Sequence, residues 1–444
     1  MLIRIGGKQD DSGARVKISA AAYPAPFKSG LEYSCAARGT WNIVHTGFLL
    51  PQSHEIFICA MGCLRGVVLT AAEMGFSHRF STIEIKENDV YEGTMEDMIT
   101  SGVSQILDTL DYTPRAVLVY TSCIHHFVGC DIQLCFDILR KRYPHIDFAD
   151  CYMDPIMRKS GLNPDQTMRR QLYSLIKPAE KNAKKLNIIG SDLKIDTACE
   201  LFDIAKESGA AISQIQDFDT YDGYQSMGQA FANIYIDLSA KAAAEALENR
   251  LGQKAVCLPQ SFGYDEISTA LNTLRGLLGL SEKSYEEKRK MCDEAIENVR
   301  QTLGGAPVEI DYTATPRPLS LARLLLTHGI NVTRLYCDSF SAAEKSDLGF
   351  LQKNFPDIDV YATVQVKMRE LDRCRSCKTL AIGQKAAYFA SSPYFVNIVQ
   401  GGGMYGYSGI LKLCGMITQA WEHEKDTKNL IQIKGMGCNC HGVC

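Results

Sequence analysis

Ala116-Val117-Leu118-Val119-Tyr120-Thr121-Ser122-Cys123-Ile124-His125-His126-Phe127-Val128-Gly129-Cys130-Asp131 is the stretch from which the fold is read. Its first five residues form an unbroken apolar run, the pattern of a parallel strand buried on both faces. The run ends abruptly in Thr121, Ser122 and Cys123. A Cys just past the carboxyl end of such a strand stands where open α/β sheets hold their ligands. Two other thiols have comparable settings: Cys35 in Glu32-Tyr33-Ser34-Cys35, and Cys63 in Ala60-Met61-Gly62-Cys63.

Outward from this stretch, apolar strand patterns alternate with helical ones. Glu55-Ile56-Phe57-Ile58 leads into Gly62-Cys63, and a helix is predicted over 66–75. Residues 80–86 read as a strand, 92–110 carry apolar residues at helical spacing, and 131–142 read as the next helix. The pattern restarts with a strand over 186–192 and a helix over 193–208. It restarts again with a helix over 320–328, a strand over 331–338, a helix over 345–355 and strand starts near 359, 379 and 396. Such alternation predicts an α/β fold of three Rossmann-like domains with parallel sheets. The expected division is 1–180, which begins with an irregular arm leading to Cys35 and carries the three thiols, then 181–310, then 311–430, then a Cys-rich tail over 431–444. The charged helical segment 282–302 either links the last two domains or packs on the surface.

A chain of 444 residues with 46% hydrophobic content is long enough for about three cores. The net charge of −4 excludes a strongly basic nucleic-acid surface. No window is apolar enough to predict a membrane span. Met1 to Lys8 turns polar too soon for a secretory signal. With seventeen Cys, the expected compartment is a reducing cytoplasm, where grouped thiols are more often metal ligands or redox groups than disulfides.

Cys35, Cys63 and Cys123 are too far apart in sequence for a zinc ribbon, which needs paired C-x2-C knuckles. Thiolates from separate strand ends suit an iron–sulfur cluster at the top of a sheet. Gly62 and Gly129 stand beside two of them, where glycine lets backbone approach a cluster and offer N–H groups to it. On residue types alone the alternative is three buried structural thiols. Cys59 and Cys130 flank the candidates as substitute ligands or packed thiols. His125 and His126 are either proton carriers near the site, or one buried and one solvated side chain. The tail Cys438-Asn439-Cys440-His441-Gly442-Val443-Cys444 is a soft-ligand set for a second cluster or metal, or else a frayed end with reactive thiols. Cys374 and Cys377 form a C-x2-C pair that joins it, acts in redox chemistry, or is structural.

Taken in order, Tyr33-Ser34-Cys35-Ala36, Met61-Gly62-Cys63 and Ser122 through Asp131 resemble the three cysteine motifs of the nitrogenase component 1 family. Ile83 through Gly93 and the Gly406-Tyr407-Ser408-Gly409 turn resemble that family's strand-loop and closing motifs. The resemblance implies a dimeric core, as a homodimer or as a heterodimer with a related subunit. It implies an interfacial iron–sulfur cluster on Cys35, Cys63 and Cys123, either an 8Fe-7S P-cluster-like centre or a 4Fe-4S cluster. It implies electron delivery by a separate ATP-dependent iron protein, which alone would carry the MgATP.

Two departures redirect the expected chemistry. The second-domain position of the family's molybdenum–iron cofactor Cys falls near Asn233-Ile234-Tyr235-Ile236-Asp237, which has no Cys. The third-domain region Tyr394 to Tyr407 has no His. The expectation is therefore a nitrogenase-like reductase component that acts on a small-molecule substrate other than dinitrogen, in a cavity between domains. That cavity would hold a tetrapyrrole, a different cluster or a small substrate. Gly401 through Gly406 would line it, or form a plain loop. No catalytic residue is identified. The rival readings are a scaffold for metallocluster assembly and a metal-binding or redox-sensing protein without turnover.

Overall fold

The computed structural model describes residues 11–37, 39, 40, 42–153, 161–373 and 377–431. After β1 (Arg15–Lys17), four strands make the first sheet: β2 (Ser53–Ala60), β3 (Phe80–Ile85), β4 (Ala116–Ser122) and β5 (Asp147–Met153), in the order β3-β2-β4-β5. All its pairings are parallel. β4 is buried at every residue, which is why it reads as an apolar run; β2 is buried at seven of eight, although its first three residues, Ser53, His54 and Glu55, are polar. The chain leaves β2 toward β3 on one side and leaves β4 toward β5 on the other. The connections therefore part between the neighbours β2 and β4. That is a topological switch point, where a crevice opens outside the carboxyl ends of the strands.

The same arrangement recurs twice. β6 (Asn182–Ile189), β7 (Ala211–Gln214), β8 (Ala230–Tyr235) and β9 (Lys254–Cys257) pair as β7-β6-β8-β9, with the switch between β6 and β8. β10 (Val308–Asp311), β11 (Val332–Tyr336), β12 (Asp359–Tyr361), β13 (Leu380–Ile382) and β14 (Phe395–Val396) pair as β12-β11-β10-β13-β14, with the switch between β10 and β13. β1 adds antiparallel to β12 at the edge of this third sheet.

The chain's contacts group these sheets into two compact units. One comprises Trp41–Lys194 and Ala205–Pro259, with the first and second sheets. The other comprises the described residues up to Thr40, Ile195–Ile204 and those from Gln260 onward, with the third sheet. This differs from the expected division at about 180 and 310. The arm that carries Cys35 goes with the third sheet, not the first. It does so because Arg15 pairs with Tyr361, the Ala362 N–H bonds Ala14 O at 2.9 Å, and the Tyr33 N–H bonds Val364 O at 2.6 Å. Residues from 260 to 310 also go with the third sheet. Their helices Tyr264–Leu277 and Glu286–Leu303 pack on the helix Gly406–Glu422, where the Tyr407 hydroxyl donates to Tyr264 O at 2.9 Å. The charged segment 282–302 is thus a packed helix and not a linker.

Three helix expectations are also revised. The helix expected over 66–75 runs from Met61 to Glu73, so Cys63 is inside its first turn. The pattern over 92–110 is broken at Gly93, which caps the helix Glu87–Glu92 at φ 72°. The helix expected over 193–208 is helical only from Glu200 to Glu207, because the Asp196 carboxylate takes the Ala198 N–H at 3.0 Å and holds a turn there.

Candidate functional site

The helix Met61–Glu73 begins directly after β2, and Cys63 is its third residue, exposed. Cys123 opens the helix Cys123–Val128 directly after β4 and is half-buried. These two thiols therefore flank the first switch point from adjacent strands. Cys59, on β2 and fully buried, feels both: burial first, and then their charges, push its thiol up to about 12. Its side chain is packed wholly inside the strand. Cys130 is likewise pushed up to about 11 by burial and by Glu96.

His125 and His126 separate cleanly. His125 is buried, and its Nδ1 accepts the Ser122 N–H at 3.1 Å, closing the helix start. Burial pulls its pKa below the usual imidazole range, and its Nε2 has no partner among the described residues. His126 is exposed and faces a cavity described below. The two glycines also differ. Gly129 ends the helix at φ 72°, a left-handed conformation that by itself calls for glycine. Gly62 has no such need, since a Cβ there would meet open space.

Cys35 belongs to the other unit, near the third switch point. It is 8% exposed. Burial raises its thiol pKa, opposed by the Lys385 ammonium and by the Ala37 backbone N–H. The Lys385 Nζ donates to the Tyr312 hydroxyl at 3.0 Å and the Thr363 hydroxyl at 3.2 Å. Buried Asp311 takes the N–H groups of Thr313 at 2.7 Å and Ala386 at 2.6 Å. Gly383, at φ 106°, is pressed against it, and a Cβ would stand 2.3 Å from the Asp311 Oδ2.

The second switch point is filled as well. The Arg169 guanidinium makes two bonds to Asp192, at 2.8 and 2.7 Å, and a Cβ on Gly190 would stand 2.0 Å from the Ala240 Cβ. In the segment from Asn233 to Asp237, Asn233 is buried in an amide network with Asn187 (2.8 Å) and Gln253 (3.1 Å). The Gly-rich loop packs within its own unit: Gly401 lies against Gln260, whose Nε2 donates to Met404 O at 3.1 Å.

The two helices that carry Cys63 and Cys123 expose several large apolar side chains, beside the exposed Arg65 and His126. Met61 (61% exposed), Leu69 and Val68 project from one helix, and Phe127 (68% exposed) and Val128 from the other. Tyr91, on the helix after β3, is 92% exposed.

A cavity of about 440 Å³ opens at the carboxyl ends of β4 and β5. Thr121, Ser122 and Tyr152 line it from the strands, His126 from the Cys123 helix, and Thr167 and Arg170 from the helix Pro164–Ser174. Sequence reasoning missed Tyr152, Thr167 and Arg170, which sit in no motif. No sequence signal separates Arg170 from the adjacent Arg169; the two differ only in what each bonds in the fold.

Among the described residues, no three His, Cys, Asp or Glu side chains stand close enough together to hold a metal ion. Cys377 is exposed, while Cys374 and the tail thiols Cys438, Cys440 and Cys444 lie outside the described residues. The pair Cys63 and Cys123 fits a thiolate-held iron–sulfur group in donor chemistry. Both emerge at neighbouring strand ends, and a Cβ on Gly62, beside Cys63, would meet nothing within 4 Å.

The sequence model of the nitrogenase component 1 type oxidoreductases matches residues 51–422. The structure is similar to that of nitrogenase Cp1 at pH 6.5, at 14% identity and a TM-score of 0.67, covering 91% of this chain and 96% of that one. It is also similar to nitrogenase Cp1 at pH 5, at 14% identity and a TM-score of 0.58, covering 93% of this chain and 95% of that one. No curated protein matches the chain in sequence. No helix among the described residues is long and apolar enough to cross a membrane.

Proposed function

The chain belongs to the nitrogenase component 1 type oxidoreductases, and from that premise we propose that it is the substrate-reducing component of a nitrogenase-like reductase. It would receive electrons from an ATP-dependent iron protein and reduce a small molecule other than dinitrogen. An iron–sulfur cluster held by Cys63 and Cys123, with Cys35 as the third ligand, would supply single-electron transfer when bound. The absence of a Cys over 233–237 and of a His over 394–407 supports a substrate other than dinitrogen.

One observation carries this reading. Thr121 and Ser122 line the cavity, and the next residue, the half-buried Cys123, opens the helix that follows. The carboxyl end of β4 thus joins a thiol site to a small-molecule-sized cavity within a few atoms of backbone. The protein's part is positional. Cys63 and Cys123 fix one end of the electron path, and β4, rigid and fully buried, fixes its distance to the cavity. The exposed apolar residues around the thiols suit cover by a second copy or a related subunit, which would also exclude water from the cluster.

Anaerobic iron and sulfide analysis with EPR tests the proposal. The purified chain should hold iron and sulfide and give a cluster signal. Cys63→Ala and Cys123→Ala should each lose most of the iron while keeping the wild-type circular dichroism. Iron-free wild type, or full iron in both variants, would overturn the reading.

A further inference from the structure

The lining of the cavity beside Cys123 constrains what it can bind. Ile132, Leu162 and Pro164 give it apolar wall. Thr121, Ser122 and Thr167 give it hydroxyls, and His126 and Arg170 give it nitrogen donors. Among the described residues, no Asp or Glu lines it. Two described carboxylates on the flanking elements already have partners: Asp150 accepts the Tyr152 hydroxyl at 3.1 Å, and Asp165 pairs with Arg169 at 3.1 Å.

Arg169 and Arg170 are neighbours on one helix with opposite fates. Arg169 is buried and spends its guanidinium on Asp192 and Gly190 O. Tyr173, one turn on, accepts the Gly190 N–H at 3.1 Å. These bonds fix the helix, so Arg170 is presented from a rigid element. Arg170 is exposed and makes no ion pair or hydrogen bond among the described residues. A guanidinium is a planar fork of donors matched to a planar oxyanion.

We propose that this cavity binds a small organic carboxylate, with its anionic end on Arg170 and its hydrocarbon part against Ile132, Leu162 and Pro164. The volume of about 440 Å³ is that of a small-molecule site. A carboxylate suits the lining better than a phosphate. Among the described residues, the lining offers one guanidinium, no Lys and no glycine-rich backbone cradle, and much of it is apolar. The inference rests on the proposed function only in taking this as the substrate cavity; the binding chemistry is independent of it.

Ligand-observed NMR on the full chain, iron-loaded and iron-free, tests the inference. The probes are hexanoate, benzoate and cinnamate, each beside its primary amide. At least one acid should bind about ten-fold or more tightly than its amide, the worth of a charge-assisted contact. Arg170→Gln should erase that preference, and Arg170→Lys should keep part of it. Acids and amides binding alike in all three pairs would overturn the proposal, as would a preference that survives Arg170→Gln. Inorganic phosphate displacing the best acid at equal concentration would reassign the site to phosphates. A chain that takes up no iron yet prefers acids would keep this inference while the electron-transfer reading falls; iron-loaded protein without the preference would do the reverse.

Discussion

The edge of the third sheet between β10 and β13 and the edge of the first sheet between β2 and β4 share one topology and differ in what occupies them. At the third, the chain fills its own crevice. Asp311 and Lys385 are buried there with their bonds met by Thr313, Ala386, Tyr312 and Thr363, and Gly383 lets the backbone close on the Asp311 carboxylate. At the first, the helix starts carry Gly62, Cys63 and Cys123, Cys63 is exposed, and a Cβ on Gly62 would meet nothing within 4 Å. Topology supplies a crevice in both, and side-chain chemistry decides whether the chain closes it. Satisfied buried polar groups make a rigid plug. Thiols beside a bare glycine leave a place for something else.

Gly383→Ala is the harshest test of the plug. Gly383 is at φ 106°, and its new methyl would stand 2.3 Å from an oxygen that Thr313 and Ala386 hold in place. Backbone strain and overpacking together should cost about 3 kcal/mol. The expected readout is a lower urea midpoint for the unit with the third sheet. A variant as stable as wild type would mean that the third crevice is looser than its bonds indicate.

Acid should act on the first sheet with a smaller effect. His54 on β2 is 1% exposed, with its nitrogens 2.6 Å from the Tyr112 hydroxyl and 2.8 Å from the Ser81 hydroxyl. Burial first, and then the Arg79 charge, lower its pKa from 6.5 to about 4. The folded chain therefore refuses a proton that the unfolded chain accepts. Stability from this group is complete above pH 6.5 and falls as pH drops toward 4, by about 2 kcal/mol at pH 5. Denaturation at pH 7 and pH 5 should show the loss, and His54→Asn should remove most of it. At the third crevice the sign is reversed. Burial raises the Asp311 pKa, so mild acid does not weaken that plug through this carboxyl. Equal acid losses in wild type and His54→Asn would erase the contrast.

The fold was legible because its signals are local. β4 reads as a buried parallel strand from five consecutive apolar residues, and Cys123 follows it at once. The assignment of the arm was not legible, because it depends on β1 pairing with Val360 and its neighbours, more than 340 residues away. No periodicity carries such a pairing. At the site, motif order pointed to Cys63 and Cys123, and the structure sets both at one switch point. Arg170 was invisible for a different reason. Its meaning lies in lacking a partner among the described residues while Arg169 has one, and ion pairing is a property of the folded chain.

Gly62→Ala should have the smallest effect on folding and the most informative one on the site. It sits in the first turn of an exposed helix, and a Cβ there meets nothing within 4 Å. Unlike Gly383, it pays no debt to backbone conformation, so alanine should change stability by no more than about 0.5–1 kcal/mol, with helix propensity favouring a gain. A residue free to be alanine on packing grounds, yet glycine beside Cys63, is best explained by something that approaches from outside the chain. The variant should therefore fold as well as wild type and hold at most half the iron per chain. If folding and iron content are both unchanged, the open crevice owes its glycine to nothing at the thiols, and the contrast between the two sheet edges reduces to Cys63 and Cys123 alone.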